Sequence, residues 1–593
     1  MSSAPHPIPP PPHAARARTA LPLIALLCAP LWIVGQFDRG LWTPDEPREA
    51  DIAWRMSWQQ DRLLPQLAGT PFLEKPPLSY WMSAATIRAW GDSPAAARAP
   101  NLLYAAITAL AVGALALAME LELLPALIAA LTAASALTAY RVAVWLAPDA
   151  CLLAGCALAL LGAWRGYRAP PGFAKLAGYT LLHFGAAVGF MAKSAPGWLV
   201  PGLALLTLIV WERRFGELRR YELYAGLALQ ALIIGPWIVA VAHAPHGAEA
   251  LRTLFWNNVI GRFTQVTSPA GLDYTSGHHN TAGKYLLELP LYLLPWTLVV
   301  VAALARAWHR MRDAGPRGTA WRFALASSLP FLVLLSLAAT ARDIYSAPSL
   351  LGFGLLAGLW AAELRQPHTR LDRVAVLGTF VVIALLALAL ALAFGVLAAA
   401  GAVSRGACLA SAVGVLLVTS VALAGALRAW LRGALPRSLA WAYAAYALAV
   451  CVAAGPMLPV IDRWQDLPAL AARIHADTAH DSLALLDPDE TTVAMLDHGL
   501  KTNFIVLTSD REPSRNAVSA WFAGEGAAAR VLVLLPGHAG GRVTDFIGRF
   551  RPLPTADDGV AGALTAAGAA SLVQRYDLPQ GRRYALLGPP PPH

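Results

Sequence analysis

The sequence predicts a polytopic α-helical membrane protein that ends in a small α/β domain, and three observations carry that expectation. The 593 residues are 57% hydrophobic and only 14% charged, where a soluble chain carries about 25% charge. Apolar runs of roughly 20 residues, long enough to cross a bilayer as a helix, recur from Leu21 to Leu458. Beyond Leu458 the pattern changes to short apolar strands alternating with amphipathic helices, the signature of an α/β unit.

Taken in order, the start "MSSAPHPIPPPPHAARARTA" is Pro-rich and reads as a disordered tail over residues 1–19. The apolar run behind Arg16 and Arg18 has no small-residue cleavage site and reads as an uncleaved first span. Spans are expected at 20–37, 98–119, 123–142, 149–165, 176–192, 195–211, 223–243, 286–305, 321–341, 345–363, 374–399, 406–427 and 438–458, about 13 in all. The transmembrane domain is thus 20–458, and the α/β domain is 459–593. In the latter, "DSLALLDPD" and "ARVLVLLPG" read as strands, and "LPALAARIHADT", "TTVAMLDHGL" and "VTDFIGRF" as helices.

The charge pattern sets an orientation. Alternate connections carry arginine clusters, such as Arg213, Arg214, Arg219 and Arg220, or Arg306, Arg310, Arg312, Arg317 and Arg322. The intervening ones carry about one cation each. Positive loops stay on the cytoplasmic side, so the N-terminus is expected inside, and the long loops 38–97 and 244–285 and the C-terminal domain outside. The net charge of +10 is thereby explained by topology and does not call for nucleic acid. The five cysteines all fall in or at the edges of apolar runs, leaving none for a disulfide or a zinc cluster.

The two long outer loops differ from ordinary connectors. "PREADIAWRMSWQQ" (47–60) and "ALRTLFWNNVIGRF" (250–263) mix aromatics with charges, as helices lying at the membrane interface do. Asp45, Glu46, Lys75, Asp149, Lys193, Arg262, His278, His279, Lys284, Arg342 and Asp343 all map to the outer face on this topology. Ionisable groups near membrane depth are costly and mark functional sites, so together they suggest a polar cavity open to that side. Each has a plainer reading: Asp45 and Glu46 as a helix cap, Lys75 and Lys193 as snorkelling ends, Arg262 on lipid headgroups, Asp149 as a cap after Pro148, and the histidines as loop residues. The set suits one chemistry. Lys75, Arg262 and Arg342 can neutralise a phosphate or diphosphate. Asp45 or Glu46 can act as a general base or stabilise a positive sugar centre. A sugar on a lipid phosphate needs both.

These residues resemble a known family. "DEPR" after the first span, followed by "FLEKPPLSYW", looks like the polyprenyl-phosphate-sugar-dependent glycosyltransferases of GT-C fold, in particular the lipid A aminoarabinose transferases and the bacterial members grouped with protein O-mannosyltransferases (glycosyltransferase family 39). The likeness continues through "WLAPDACLLAG", "FMAKSAPGWLVPGLAL", "FWNNVIGRF", "HHNTAGKYLLELPLYLLPW" and "ATARDIYSAPSLLGFGLLAGLW", covering most of 40–365. It implies a GT-C fold in a bacterial inner membrane, with the C-terminal domain periplasmic. It implies transfer of a sugar from an undecaprenyl-phosphate carrier to a periplasm-facing lipid or glycan acceptor such as lipid A. It further implies Asp45 as the carboxylate that activates or orients the acceptor, with Glu46 beside it. Lys75 and Arg262 would bind the lipid phosphate, helped by Arg342 and Tyr345, and Arg48, Glu74, Tyr80, Asp149 and Lys193 would line the cavity. A divalent metal cation near the first acidic pair, with His278 or His279 as ligand, is also implied, and no other cofactor. The expected partners are the sugar-carrying lipid, the acceptor and membrane lipids; the chain is expected to be a monomer. Two positions depart from the family pattern: Glu49–Ala50–Asp51 follows the first motif's arginine, and Asn257–Asn258 stands in place of a Glu-His pair before Arg262–Phe263, without the acid.

A protein O-mannosyltransferase-like enzyme remains open within this class. The competing class is a lipid or sugar transporter or flippase, which also uses intramembrane charge. Transporters carry internal repeats and mid-span ionisable groups; here no repeat is evident and the charges sit at outer ends.

Overall fold

The computed structural model describes residues 12–59, 62–260, 281, 283–338, 342–364, 368–399, 404–501, 503–508, 514–536, 558–578 and 580–591. Each apolar segment expected to span falls on helical backbone. Among the described residues, eight helices are long and apolar enough to cross a membrane. Two further pairs, Leu123–Ser135 with Leu137–Val144 and Lys284–Tyr292 with Thr297–Arg310, are bent by 65° and 120° where a single straight span is expected. Pro290 inside the second pair removes a helix donor close to its break. The helix Asp343–Ala362 has 94% of its apolar window buried and forms the centre of the bundle, whereas Tyr221–His243, Arg370–Ala399 and Arg405–Leu431 have 22% buried and face outward. The chain is a multi-pass helical membrane protein.

Two neighbouring helices, Asp149–Arg168 and Phe173–Lys193, pack backbone to backbone. A Cβ on Gly162 would lie 2.2 Å from the amide nitrogen of Leu182, and one on Gly178 would lie 2.3 Å from that of Gly166. Small residues permit this approach where no hydrophobic effect drives helices together. Their short connection closes one end of the hairpin, so Asp149 and Lys193 lie together at the other.

Between the first span and helix Pro100–Ala118 the chain builds a compact layer. It comprises the helix Glu46–Trp58, a hairpin of β1 (Gln66–Leu67) and β2 (Thr70–Pro71), and the helix Leu78–Trp90. The turn residues Ala68 and Gly69 both have positive φ, 48° and 83°, as a two-residue hairpin turn demands. The expected helix over 47–60 is present as Glu46–Trp58, and most of it is covered by protein. Glu46 through Trp54, and Met56, are all buried: Ala50, Ala53 and Trp54 pack on Ile87, Ala96, Ala97 and Leu146, and the C-terminal unit covers the side that carries Ile52 and Met56 through Ala494. Of 250–263, Gly247–Arg252 is α-helical and Thr253–Ile260 is π-helical; the rest lies outside the described residues.

The helix of the last expected span continues past Leu458 to Gln465, so the α/β unit begins at Asp466, which takes a left-handed conformation between two helices. Its sheet holds β3 (Ser482–Leu486), β4 (Phe504–Leu507), β5 (Ala529–Leu535), β6 (Ser571–Asp577) and β7 (Arg583–Gly588) in the order β4-β3-β5-β7-β6. The first three are parallel, and β7 is antiparallel to both neighbours. Strand alternation divides its apolar residues between two faces. Leu483, Leu485 and Leu532 pack under helices Leu467–Asp477 and Glu490–Leu500. Ala484, Leu486, Val531 and Val533 pack against Ser514–Glu525 and Gly559–Ala566. The helix expected at 543–550 lies outside the described residues, as does residues 1–11 of the expected N-terminal tail.

Candidate active site

The buried layer after the first span gathers most of the charges singled out in the sequence. Asp45 occupies the N-cap of helix Glu46–Trp58, yet its side chain makes no cap hydrogen bond. Arg342, 297 residues away, grips it instead: Nη2 donates to Oδ2 at 2.7 Å and Nη1 to Oδ1. One helical turn on, Arg48 lies 3.4 Å from Asp45 and donates to Glu49 Oε1 at 2.9 Å. Spacings of three and four residues put Asp45, Arg48 and Glu49 on one face. Glu49 Oε1 also accepts from Lys75 Nζ at 2.9 Å, and Glu74 lies 3.3 Å from the same ammonium. Lys75 is 8% exposed, so its ammonium is enclosed by protein. Glu490, from the C-terminal unit, closes on Arg48, and Tyr80 packs beside Lys75, its buried hydroxyl without a hydrogen-bond partner among the described residues.

The electrostatics follow from this packing. Burial alone would push the Asp45 carboxyl upward, but the Arg342 hydrogen bonds and the charges of Arg48 and Lys75 outweigh it and hold it below the ordinary carboxylate range. Burial works against the Lys75 charge, and Glu49 and Glu74 overcome it, so the ammonium stays protonated well past its usual range. The Tyr80 hydroxyl is pushed up by burial and by Glu49. The site therefore holds an ionised carboxylate, an enclosed ammonium and a neutral phenol.

The Arg342 backbone leads into the turn Asp343–Ser346, which carries Tyr345. The Tyr345 ring lies 3.9 Å from Lys193 Nζ, and Lys193 donates to Asp149. Lys75, Glu49, Arg48, Asp45, Arg342, Tyr345, Lys193 and Asp149 thus form one continuous chain of contacts across five separate stretches of sequence.

Glu46 is a correction. It is fully buried and points into a different cluster, accepting from Arg39 Nη2 at 2.7 Å and from the backbone N–H groups of Trp42 and Leu146 at 2.9 Å each, with Arg98 at 3.4 Å. Its lone pairs are committed to tying the loop to the spans, so it is not a catalytic candidate. Arg262, His278 and His279 lie outside the described residues. Among the described residues no group of three or more His, Cys, Asp or Glu side chains is arranged to hold a metal ion. At the first acidic pair, Asp45 and Glu46 face different guanidinium partners, an arrangement that does not fit a divalent ion.

Glu49 and Glu490 are the members that sequence reading misses. Glu49 was within reach of the helical spacing from Asp45. Glu490 carries no local signal, since its partner lies 442 positions away.

Residues 23–247 match the family model of dolichyl-phosphate-mannose-protein mannosyltransferases. The chain is 31% identical over 341 residues to an undecaprenyl phosphate-alpha-4-amino-4-deoxy-L-arabinose arabinosyl transferase of Pseudomonas aeruginosa strain LESB58, covering 58% of this chain and 59% of that one. It is 27% identical over 370 residues to the protein of that name in Serratia proteamaculans strain 568, covering 62% and 64%. The chain thus spans less than two thirds of the length of these relatives. The crystal structure of ArnT from Cupriavidus metallidurans bound to undecaprenyl phosphate superposes with a TM-score of 0.67 at 19% identity, over 95% of this chain and 97% of that one. The apo structure of the same protein gives 0.65. The fold is shared, and the chain resembles GT-C glycosyltransferases.

Proposed function

We propose that this chain is an inner-membrane glycosyltransferase that moves a sugar from an undecaprenyl-phosphate donor to an acceptor on the outer face, lipid A or another glycolipid. The observation that carries the reading is the buried Asp45–Arg48–Glu49–Lys75 network with Arg342 closing on Asp45. It sits in a chain whose fold matches a protein crystallised with undecaprenyl phosphate and whose relatives are named for sugar transfer from that carrier.

In this mechanism Lys75 binds the lipid phosphate as a point charge, joined by Arg262 and backed by the Arg342 fork. Asp45 receives or orients the acceptor hydroxyl as it attacks the sugar C1. The C1–O bond to phosphate breaks, the phosphate leaves onto the cations, and the acceptor proton passes to the carboxylate. Tyr80 offers its hydroxyl to the sugar or phosphate, and Asp149, Lys193, Tyr345 and Glu74 form the wall. The spans number about 13, with the N-terminus cytoplasmic and the C-terminal unit periplasmic, and the enzyme works as a monomer. A protein acceptor is the second reading, favoured by the match of residues 23–247 to the protein mannosyltransferase model.

The experiment is mass spectrometry of lipid A, glycolipids and envelope proteins from a deletion strain complemented with wild type or Asp45→Asn. A sugar that disappears on deletion and returns only with wild type names the acceptor. Full restoration by Asp45→Asn, with the variant inserted and folded, overturns the assignment.

A further inference from the structure

The C-terminal unit does more than sit beside the network. Its helix Glu490–Leu500 runs parallel to the site helix, and the two meet at matched seven-residue intervals. Glu490 meets Arg48, and Asp497 Oδ2 accepts from Arg55 Nε at 2.7 Å. Between them, Ala494 packs with Ile52, Met56, Phe72 and Tyr80, and Thr491 Oγ1 donates to the Pro44 carbonyl at 3.1 Å. The helix start is itself fixed: Asp489 caps it through the Thr492 N–H at 2.9 Å and is gripped by Arg582.

Arg48 therefore has four carboxylate neighbours. Asp45, Glu49 and Glu74 belong to the loop that carries the site, and among the described residues only Glu490 comes from outside it. A guanidinium is a planar fork, and its orientation decides which carboxylates it can serve. Glu490 occupies the Nη1 side, which leaves Nη2 facing Asp45 and Glu49. The same guanidinium thus reaches both the acceptor-side carboxylate and, through Glu49, the carrier-side Lys75.

We propose that Glu490 is a positioning residue for the transfer reaction: it fixes the Arg48 fork, so that the docked C-terminal unit completes the active site. The proposal rests on the glycosyltransferase reading above. It distinguishes Glu490 from Asp497, which holds the same two helices together without touching Arg48.

The test is steady-state sugar transfer from a synthetic polyprenyl-phosphate sugar by the full-length chain in detergent or lipid nanodiscs. Glu490→Ala is expected to lower kcat on the order of 100-fold, the penalty of an ångström-scale misplacement, with the donor KM moving far less. Asp497→Asn, which loosens the same docking contact, is expected to stay within about threefold, as for a side chain remote from the chemistry. In an Arg48→Lys background, which keeps the charge but loses the fork, Glu490→Ala is expected to cost nothing further, because both changes remove one interaction. Equal losses from Glu490→Ala and Asp497→Asn, or losses from Glu490→Ala and Arg48→Lys that simply add, overturn the proposal. Wild-type turnover with Glu490→Ala unimpaired overturns it alone, whereas wild type that transfers no lipid-linked sugar overturns the underlying reading as well.

Discussion

At the scale of single residues, the site is a set of charges whose partners are other charges. Lys75 lies enclosed between Glu49 and Glu74. Lys75→Met leaves those carboxylates facing each other and removes the phosphate's point charge. Carrier binding is expected to weaken by about 2 kcal/mol, or about 30-fold, measured by titrating undecaprenyl phosphate into the purified protein. Tyr80 offers a different signature. Its buried hydroxyl has no hydrogen-bond partner among the described residues, so Tyr80→Phe should leave Tm unchanged or slightly raised. Turnover is nonetheless expected to fall about tenfold, as for loss of one polar contact to the substrate. A drop in Tm with normal turnover would show a packing role instead. The Asp45 carboxyl, held below the ordinary carboxylate range, remains ionised under mildly acid conditions. The acid limb of kcat/KM should therefore lie below that range, and an acid limb near pH 6 would point to a different group. Asp45 and Lys75 are legible in the sequence because a charge beside a span is expensive. The fate of Glu46 is not legible, because adjacent acids look alike until the fold sends one toward Arg342 and the other toward Arg39.

At the scale of elements, the docking of helix Glu490–Leu500 on helix Glu46–Trp58 should respond to pH. Asp51 faces Asp497, with Arg55 at 3.8 Å and the Ala68 N–H donating to it at 3.0 Å. Burial, then the hydrogen bond and charge of Asp497, push the Asp51 carboxyl well above its ordinary value. A group whose folded pKa is raised contributes stability that is full below the unfolded pKa and is lost as pH rises through the folded one. The thermal midpoint of wild type should thus fall as pH climbs above the ordinary carboxylate range. Asp51→Asn, which mimics the protonated form, should flatten that slope; an unchanged slope would remove Asp51 as its source. The helix itself is readable from its cap and spacing. Its burial is not, because an amphipathic stretch beside a membrane suits an interface equally well until a second unit covers it.

At the scale of the whole molecule, positions of the spans follow from apolar length, whereas the bends at Ser135–Leu137 and Tyr292–Thr297 depend on what each helix meets in the bundle. The strands β3 and β5 read as apolar runs because both sheet faces are covered. The strand β6 is hidden in the sequence by the polar residues of its exposed side, as in "SLVQRYD", whereas β7 is buried along its whole length. The glycine-lined hairpin supplies a whole-molecule prediction. Gly162→Ala would drive a methyl into the backbone of Leu182, costing about 1–3 kcal/mol of overpacking. It should lower Tm and displace Asp149 from Lys193 at the far end of the hairpin, reducing turnover without touching the substrate. Unaltered Tm and turnover would mean that the two helices can separate freely.

The burial of the lysine just before Pro76 has one more consequence. Its ammonium already has two internal carboxylates, so an arriving phosphate does not fill a vacancy but must compete with them for the same protons. Net capture is the small difference between two large attractions. A headgroup with two negative charges wins that exchange more readily than one with a single charge, and a neutral polyprenol has nothing to exchange. On the proposed function, selectivity for the ionised carrier would follow from this resting arrangement, before any part of the sugar is recognised.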